Sequence, residues 1–167
     1  MKRPFLVPAL VVAALWAAPQ ANAQTTAVAN TTLSFTMQER LFLDVDDANL
    51  VFTDPTTADL DAGYTQAVSH NVEHRGNVAH TITVAPTAAT WNVPFTYVGT
   101  KPADDLEWSN DGGTAWNVVS AAVNVGTGVR GGAGLNPNIP ITWRAVVGFG
   151  EPAGGYNIVV TYTSTAN

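Results

Sequence analysis

Apolar and polar residues alternate along much of this chain, and the pattern is clearest near its C-terminal end. Every second residue is apolar over residues 139–147, and the alternation returns over residues 156–163. A period of two is typical of a β-strand that buries one face. A run rich in glycine and proline, residues 148–155, separates the two segments. We therefore predict that they form a β-hairpin.

A second pair of alternating segments occupies the middle of the chain, where Arg75-Gly76-Asn77 separates residues 68–74 from residues 78–84. A three-residue loop keeps the apolar side chains of both segments on one face, whereas a two-residue loop shifts the register by one and separates them. We therefore predict a hairpin with a three-residue loop. The predicted cross-strand pairs share one buried face: His74 with Val78, Val72 with His80, and His70 with Ile82.

Shorter alternating segments fill most of the remaining chain and are separated by turn residues such as Ser109–Gly113. They predict strands near residues 33–37, 41–45, 50–52, 91–97, 106–108 and 116–122. Residues 53–63 are predicted to form an acidic loop, and no segment has the pattern of an amphipathic helix. The fold class we predict is all-β, an antiparallel immunoglobulin-like β-sandwich of about eight to ten strands.

The N-terminus has the pattern of a secretory signal peptide. Lys2 and Arg3 precede an apolar run, Phe5–Ala18, and the small residues Ala21-Asn22-Ala23 follow it. This order of a basic start, an apolar centre and a small-residue cleavage site is read by signal peptidase. The apolar run is too short to span a bilayer. We predict that residues 1–23 are a cleaved signal peptide.

The remaining residues, 24–167, are predicted to form a single β-sandwich domain, with residues 24–32 as a flexible arm. This part contains five basic and thirteen acidic residues, a formal net charge of −8. Such a charge argues against nucleic acid and anionic membranes as partners. There is no cysteine, which excludes disulfides and thiol chemistry, and no second apolar run long enough for a membrane span. We expect a secreted protein of the periplasm or bacterial cell surface.

The closing segment resembles the last strand of secreted bacterial β-sandwich surface domains, namely WxL-type proteins and spore-coat-U-like or pilin-like subunits. The resemblance lies in Pro152–Tyr156 followed by Val159–Thr163, and in Asn77–Val84, which is similar to an inner strand of such domains. Trp91-Asn92-Val93 and Trp116-Asn117-Val118 are the nearest matches to a Trp-x-Leu motif. Spore-coat-U-like subunits generally carry cysteines, which this chain lacks. The resemblance implies a structural or adhesive role outside the cytoplasm.

Three histidines are the most specific chemical feature of the sequence. In the predicted central hairpin, His80 lies diagonal to both His70 and His74, at a distance over which imidazoles can converge on one ion. Three histidines can hold zinc and leave a fourth position open. The alternative is that each histidine is the polar end of a half-buried strand, because the same face carries valine and isoleucine.

Two acidic segments, Asp44–Asn49 and Asp104–Asp111, contain carboxylates that could serve as calcium ligands. Calcium needs six to eight oxygen ligands, and an ordered loop usually has a glycine at its sharp turn. Residues 44–49 lack that glycine, and residues 104–111 have no ligand spacing typical of a calcium loop. We therefore interpret both segments as solvated turns and predict no cofactor.

Tryptophans offer an alternative function. An exposed row of aromatic rings on a sandwich face can stack on sugars, and Trp91, Trp108 and Trp116 all lie near predicted turns. Trp143 shares a predicted face with Ile141 and is expected in the core. The alternative to a structural role is therefore a carbohydrate-binding module that takes cell-wall polysaccharide.

Motifs of the common catalytic classes are absent from the sequence. There is no Gly-x-Ser-x-Gly, no His-Glu-x-x-His and no glycine-rich phosphate loop that opens a helix. A carboxylate pair such as Asp105 and Glu107 has the residue types of a glycosidase, but thirteen acidic residues make a chance pair expected. We predict that the protein is not an enzyme.

The function that we predict is that of an exported, non-enzymatic structural or adhesive surface protein. Exposed sheet edges would pair with other copies or other surface proteins, giving filaments or a surface layer. Leu33, Phe35 and Met37 alternate with polar residues and would act as an assembly arm that fills a neighbour's core. The alternative is that these residues form the first strand of their own sheet.

Overall fold

The fold is a two-layer antiparallel β-structure, as predicted. The computed structural model describes residues 31–94 and 98–167. Residues 37–167 form one compact unit, and residues 31–36 belong to a separate one. The larger unit contains eight strands: β1 (Leu41–Val45), β2 (Val68–Gly76), β3 (His80–Pro86), β4 (Leu106–Ser109), β5 (Asn117–Val118), β6 (Val123–Gly128), β7 (Ile139–Ala145) and β8 (Val160–Ala166).

The strands form two sheets that face each other. One sheet has the order β1-β2-β7-β4-β5, and the other has the order β6-β3-β8. Alternate side chains of each sheet point inward, so the apolar residues of the period-2 segments meet between the layers. The core contains the following buried residues: Val72, Ile82, Val84, Trp91, Leu106, Trp108, Val119, Val125, Ile141, Trp143 and Ala145.

The predicted C-terminal hairpin is wrong. Strand β7 pairs with β2 and β4, whereas β8 pairs with β3 in the other sheet. The period-2 pattern correctly predicted strands with one face directed inward over residues 139–145 and 160–163, whereas residues 156–159 of the second segment belong to no strand. Alternation specifies which face of a strand is buried, but two strands of a sandwich bury their faces equally well in opposite sheets.

The predicted central hairpin is wrong for the same reason. Strand β2 pairs with β1 and β7, and β3 pairs with β6 and β8, so residues 77–79 cross from one sheet to the other. The predicted pairs of His74 with Val78, Val72 with His80 and His70 with Ile82 therefore do not form. The predicted buried face is nevertheless confirmed, because the alternate residues of both strands lie in the core: His70, Val72, His74, His80, Ile82 and Val84.

A short helix, α1 (Thr57–Ala62), occupies part of the predicted acidic loop. Thr56 precedes it, and the Thr56 hydroxyl accepts from the backbone N–H of Asp59 while the Asp59 carboxylate accepts from the backbone N–H of Thr56. The Thr56 hydroxyl also donates to the Asp59 carboxylate at 2.7 Å, and this hydrogen bond, together with the one from the Thr56 backbone N–H, lowers the pKa of Asp59. Gly63 ends the helix with φ of 84°, a left-handed conformation that favours glycine. Thr-x-x-Asp is the sequence signal of this capping box.

Several weaker predictions were only partly correct. Residues 31–40 and 50–52 belong to no strand, and residues 91–94 of the predicted strand at 91–97 contain one isolated bridge, at Asn92. Residues 95–97, the predicted signal peptide and residues 24–30 of the predicted arm lie outside the described residues. Within residues 31–94 and 98–167, no helix is both long enough and apolar enough to cross a membrane.

Candidate functional site

Strand β8 is an outer strand of the smaller sheet, and in the described part of the chain one of its edges has no strand hydrogen-bonded to it. Hydrogen bonds just beyond its ends show which backbone groups face β3. The N–H of Thr87 donates to Val159 O at 2.8 Å, and the N–H of Asn167 donates to Ala79 O at 3.0 Å. Antiparallel hydrogen bonding alternates between residues, so odd-numbered residues of β8 bond to β3. The backbone groups of the even-numbered residues, from Val160 to Ala166, therefore point to the open edge.

The β8 edge lacks the features that usually prevent pairing with another chain. Its sequence, Val-Thr-Tyr-Thr-Ser-Thr-Ala, has no charged residue, proline or glycine. The other outer strands are protected: β1 carries Asp44, β5 has two residues, and β6 contains glycines and a register shift where it pairs with β3. Because uncharged, regular edges are templates for strand addition, β8 is the best docking edge among the described strands.

The residues predicted to form the assembly arm are highly exposed. The exposed fraction is 91% for Leu33, 86% for Phe35 and 68% for Met37. None of them lies in a strand, so the alternative in which they form the first strand of their own sheet is not observed. Alternating apolar side chains that remain in solvent are unfavourable for an isolated molecule.

Two of the predicted metal-binding histidines meet between the sheets. His74 of β2 and His80 of β3 are buried, and His74 Nδ1 lies 3.1 Å from His80 Nε2. The other nitrogen, His80 Nδ1, lies 3.1 Å from the carbonyl oxygen of Val78. A carbonyl oxygen only accepts, so the His80 tautomer that fits this contact has its hydrogen on Nδ1, which leaves Nε2 to accept from His74 Nδ1.

Stability should fall as the pH is lowered below about 6.5, the ordinary pKa of histidine. Burial lowers the pKa of His74, and His80 lowers it further, although a backbone hydrogen bond to Pro137 opposes both. The unfolded chain therefore binds a proton at His74 more readily than the folded protein does. As the pH falls, the free energy of unfolding should decrease by up to about 1.4 kcal/mol per pH unit. Urea unfolding of the wild type and of His74→Gln between pH 5 and 8 measures this effect. An equal slope in both proteins would contradict it.

His70 does not join the other two histidines. Its Nδ1 lies 3.0 Å from the carbonyl oxygen of Asp47, and its Nε2 accepts from the hydroxyl of Tyr162 at 2.7 Å. Burial raises the pKa of Tyr162 far above its usual range, so the hydroxyl remains a donor. Across residues 31–94 and 98–167, no three histidine, cysteine, aspartate or glutamate residues are placed to hold a metal ion. The three buried imidazole rings instead hydrogen-bond to other groups of the protein, His74 and His80 to each other and His70 to Asp47 and Tyr162.

The tryptophans do not form an exposed row. Trp91 and Trp108 are buried in the core, so the expectation that they stack on sugars is wrong for these two rings. Trp116 is half-buried, and the guanidinium carbon of Arg144 lies 4.2 Å from the centre of its ring. Large aromatic side chains contribute much of the apolar area of a small core, and a sandwich of short strands uses them for this purpose.

The acidic segments organise turns, as interpreted from the sequence. Asp46 accepts from the backbone N–H and the side-chain amide of Asn71, each at 2.7 Å, which lowers its pKa. Asp111 accepts from Ser109 and from backbone N–H groups of residues 114 and 115, which also lowers its pKa. Their oxygens therefore serve the protein's own donors.

Sequence reasoning missed a buried lysine. Lys101 is 2% exposed, and its ammonium donates to Asp105 at 3.0 Å, to the carbonyl oxygen of Val146 at 2.6 Å and to Glu151. These partners come from the 3₁₀ turn Ala103–Asp105, the end of β7 and the following loop. Lysine is almost always exposed, and no local pattern around Lys101 indicates otherwise.

No protein-family model and no curated sequence matches the chain. The functional conclusion therefore depends on the geometry of the described residues. The features suited to contact with other molecules are the β8 edge and the exposed apolar residues that precede β1.

Proposed function

We propose that the protein is an exported structural or adhesive surface protein that assembles by strand addition. The segment Leu33–Met37 of one molecule adds to the open edge of β8 in the next. Main-chain hydrogen bonds supply the affinity in such pairing, and alternate side chains supply the specificity. The observation that carries the proposal is the coexistence of an unprotected edge strand and a separate exposed segment with the same period-2 pattern.

The side chains of the two segments are complementary. The inward-facing residues of β8, among them Val160 and Tyr162, remain half-buried, and the hydroxyl of Ser164 is buried without a hydrogen-bond partner. A strand added to this edge would place Leu33, Phe35 and Met37 on the same inward side, covering the open margin of the core. The polar residues between them would face solvent, beside the exposed threonines of β8.

The N-terminal pattern supports export. A basic start, an apolar run and small residues precede the proposed arm, so cleavage after residue 23 would leave the arm near the new N-terminus. A free N-terminal arm can reach a neighbouring molecule without unfolding a sheet. The resemblance of the chain to bacterial surface domains supports the proposal that this assembly occurs in the periplasm or at the cell surface.

Substitution of Ser164 by proline tests the assembly. Its N–H points to the open edge and is not used by β3, and proline is tolerated at such positions. We expect Ser164→Pro to remain folded but monomeric in sedimentation velocity at concentrations where the wild type forms larger species. Ser164→Ala keeps the N–H and should assemble as the wild type does.

Two further variants sharpen the test. Thr163→Pro removes an N–H that bonds to β3, and should cost about 1–3 kcal/mol because a sheet carbonyl loses its donor. Replacing Leu33, Phe35 and Met37 together by serine should abolish assembly without changing the stability of the sandwich. A wild type that stays monomeric, or Ser164→Pro assemblies equal to those of the wild type, would refute strand addition.

A further inference from the structure

Three arginines line one open pocket at the end of β1 and β2. Its volume is about 430 Å³, and its charged lining residues are Arg40, Arg75 and Arg130. The rest of the lining consists of two apolar residues, Leu41 and Phe42, and three small or uncharged residues, Gly76, Asn77 and Gly131. Small-molecule pockets in proteins are typically about 300–1,000 Å³, so the space suits one sugar-sized group.

The fold brings the three arginines together from distant parts of the sequence. Arg75 lies opposite Phe42 in the β1–β2 pairing. Gly76 and Gly131 exchange two backbone hydrogen bonds, of 2.8 and 3.3 Å, which hold the Arg130 loop against the end of β2. Asn77 holds the start of β1, because its side-chain oxygen accepts from the backbone N–H of Arg40 at 2.7 Å. These three contacts therefore hold the backbone segments that carry the arginines close to one another.

The distribution of positive charge is uneven. After the two basic residues of the N-terminal segment, the chain has five more, and three of them line this pocket. The other two, Lys101 and Arg144, are paired with carboxylates. Among the described residues, Arg75 has an ion pair with Glu73, whereas no carboxylate lies within ion-pair distance of Arg40 or Arg130. An acidic protein thus keeps two guanidinium groups available in one place.

The pocket lining combines arginines with apolar side chains, which indicates a ligand that carries an oxyanion on a ring. Arginine presents a planar fork of donors that matches carboxylate and phosphate groups. The guanidinium carbon of Arg75 lies 3.9 Å from the centre of the Phe42 ring, and the side chains of Phe42 and Leu41 supply the apolar part of the lining, beside which a sugar ring can lie. Inorganic anions would use the arginines but leave the apolar part of the pocket unfilled.

We propose that this pocket binds an acidic sugar, through a carboxylate or phosphate oxyanion held by Arg40 and Arg130 and a ring packed beside Phe42. The site is remote in sequence from β8, and the proposal does not depend on strand addition. The ligand is a polymer or metabolite that carries such acidic sugars, and its site is separate from the tryptophans.

Isothermal titration calorimetry of the full-length protein at low salt tests the proposal with four probes. Trigalacturonate carries carboxylates, glucose 6-phosphate carries a phosphate, inorganic phosphate lacks the ring, and glucose lacks the charge. We expect binding of at least one acidic sugar, at least tenfold tighter than inorganic phosphate and glucose, and weakened by added salt. Which acidic sugar binds more tightly identifies the oxyanion. Binding of neither acidic sugar, or equal binding of glucose, would overturn the proposal.

Variants at the pocket provide the control. Arg40→Gln and Arg130→Gln should each weaken binding of the acidic sugar about tenfold or more, the usual effect of losing one charged hydrogen bond. Arg130→Lys keeps the charge but loses the fork, so it should recover part of the affinity. Glu39→Gln changes a neighbouring exposed charge and should leave binding unchanged or slightly tighter. Arg40→Gln and Arg130→Gln should keep the wild-type melting temperature, because both arginines are exposed. If both variants bind the acidic sugar as tightly as the wild type does, the proposed site is wrong.

Discussion

Lys101→Met should lower the free energy of unfolding by about 3 kcal/mol, at the lower end of the range for breaking a buried ion pair. Methionine fills the space of the lysine stem but cannot neutralise Asp105 and Glu151, which keep about a quarter of their side-chain surface exposed, 27% and 20%. That partial exposure reduces the cost below that of a fully buried charge. The carbonyl oxygen of Val146 also loses its donor.

Urea unfolding at pH 7 measures the effect, and Arg75→Met is the matched control. Arg75 forms an ion pair with Glu73, but both side chains are more than a third exposed, 43% and 37%. Exposed ion pairs contribute about 0–1 kcal/mol, so the same kind of replacement should be nearly neutral there. If Lys101→Met lowers the free energy of unfolding by less than about 1 kcal/mol, the result would contradict a buried ammonium that donates three hydrogen bonds.

Gly128→Ala should cost about 3 kcal/mol, at the upper end of the range for overpacking a core. A Cβ atom on Gly128 would lie 2.2 Å from His80 Nε2 and 2.9 Å from His74 Nδ1. Both rings are buried and hydrogen-bonded to each other, so neither can move aside without breaking the contact between the sheets. The cost arises from the missing space and not from an unusual backbone angle.

Thermal and urea unfolding of Gly128→Ala and Gly132→Ala together check this prediction. Gly132 has open space where a Cβ would stand, and its replacement should change stability by no more than about 0.5 kcal/mol. Histidine ring signals in NMR spectra should shift in the first variant and stay unchanged in the second. Equal stability of the two variants would mean that His80 does not occupy the space beside Gly128.

The candidate sites could be predicted from the sequence to different extents. Leu33, Phe35 and Met37 were identified from alternation, because an apolar residue at every second position is visible locally. His74 and His80 were expected to meet, but within one sheet, and they meet between sheets. The arginine pocket was not predicted, since Arg40, Arg75 and Arg130 have no shared local pattern. Pockets assembled from distant segments depend on strand order, which leaves no signal in a single sequence.

The sequence by itself determined the fold class and the buried face of most strands. Strands with one apolar face, which a period of two produces, have few stable arrangements other than stacked sheets. Only the tertiary structure decided which strand pairs with which. Strands β2 and β3, and likewise β7 and β8, are neighbours in sequence but lie in opposite sheets. Burial of a face has nearly the same free energy in either arrangement, so local patterns cannot distinguish them. The partners of Lys101 depend on the same choice, since they come from segments that the strand order brings together.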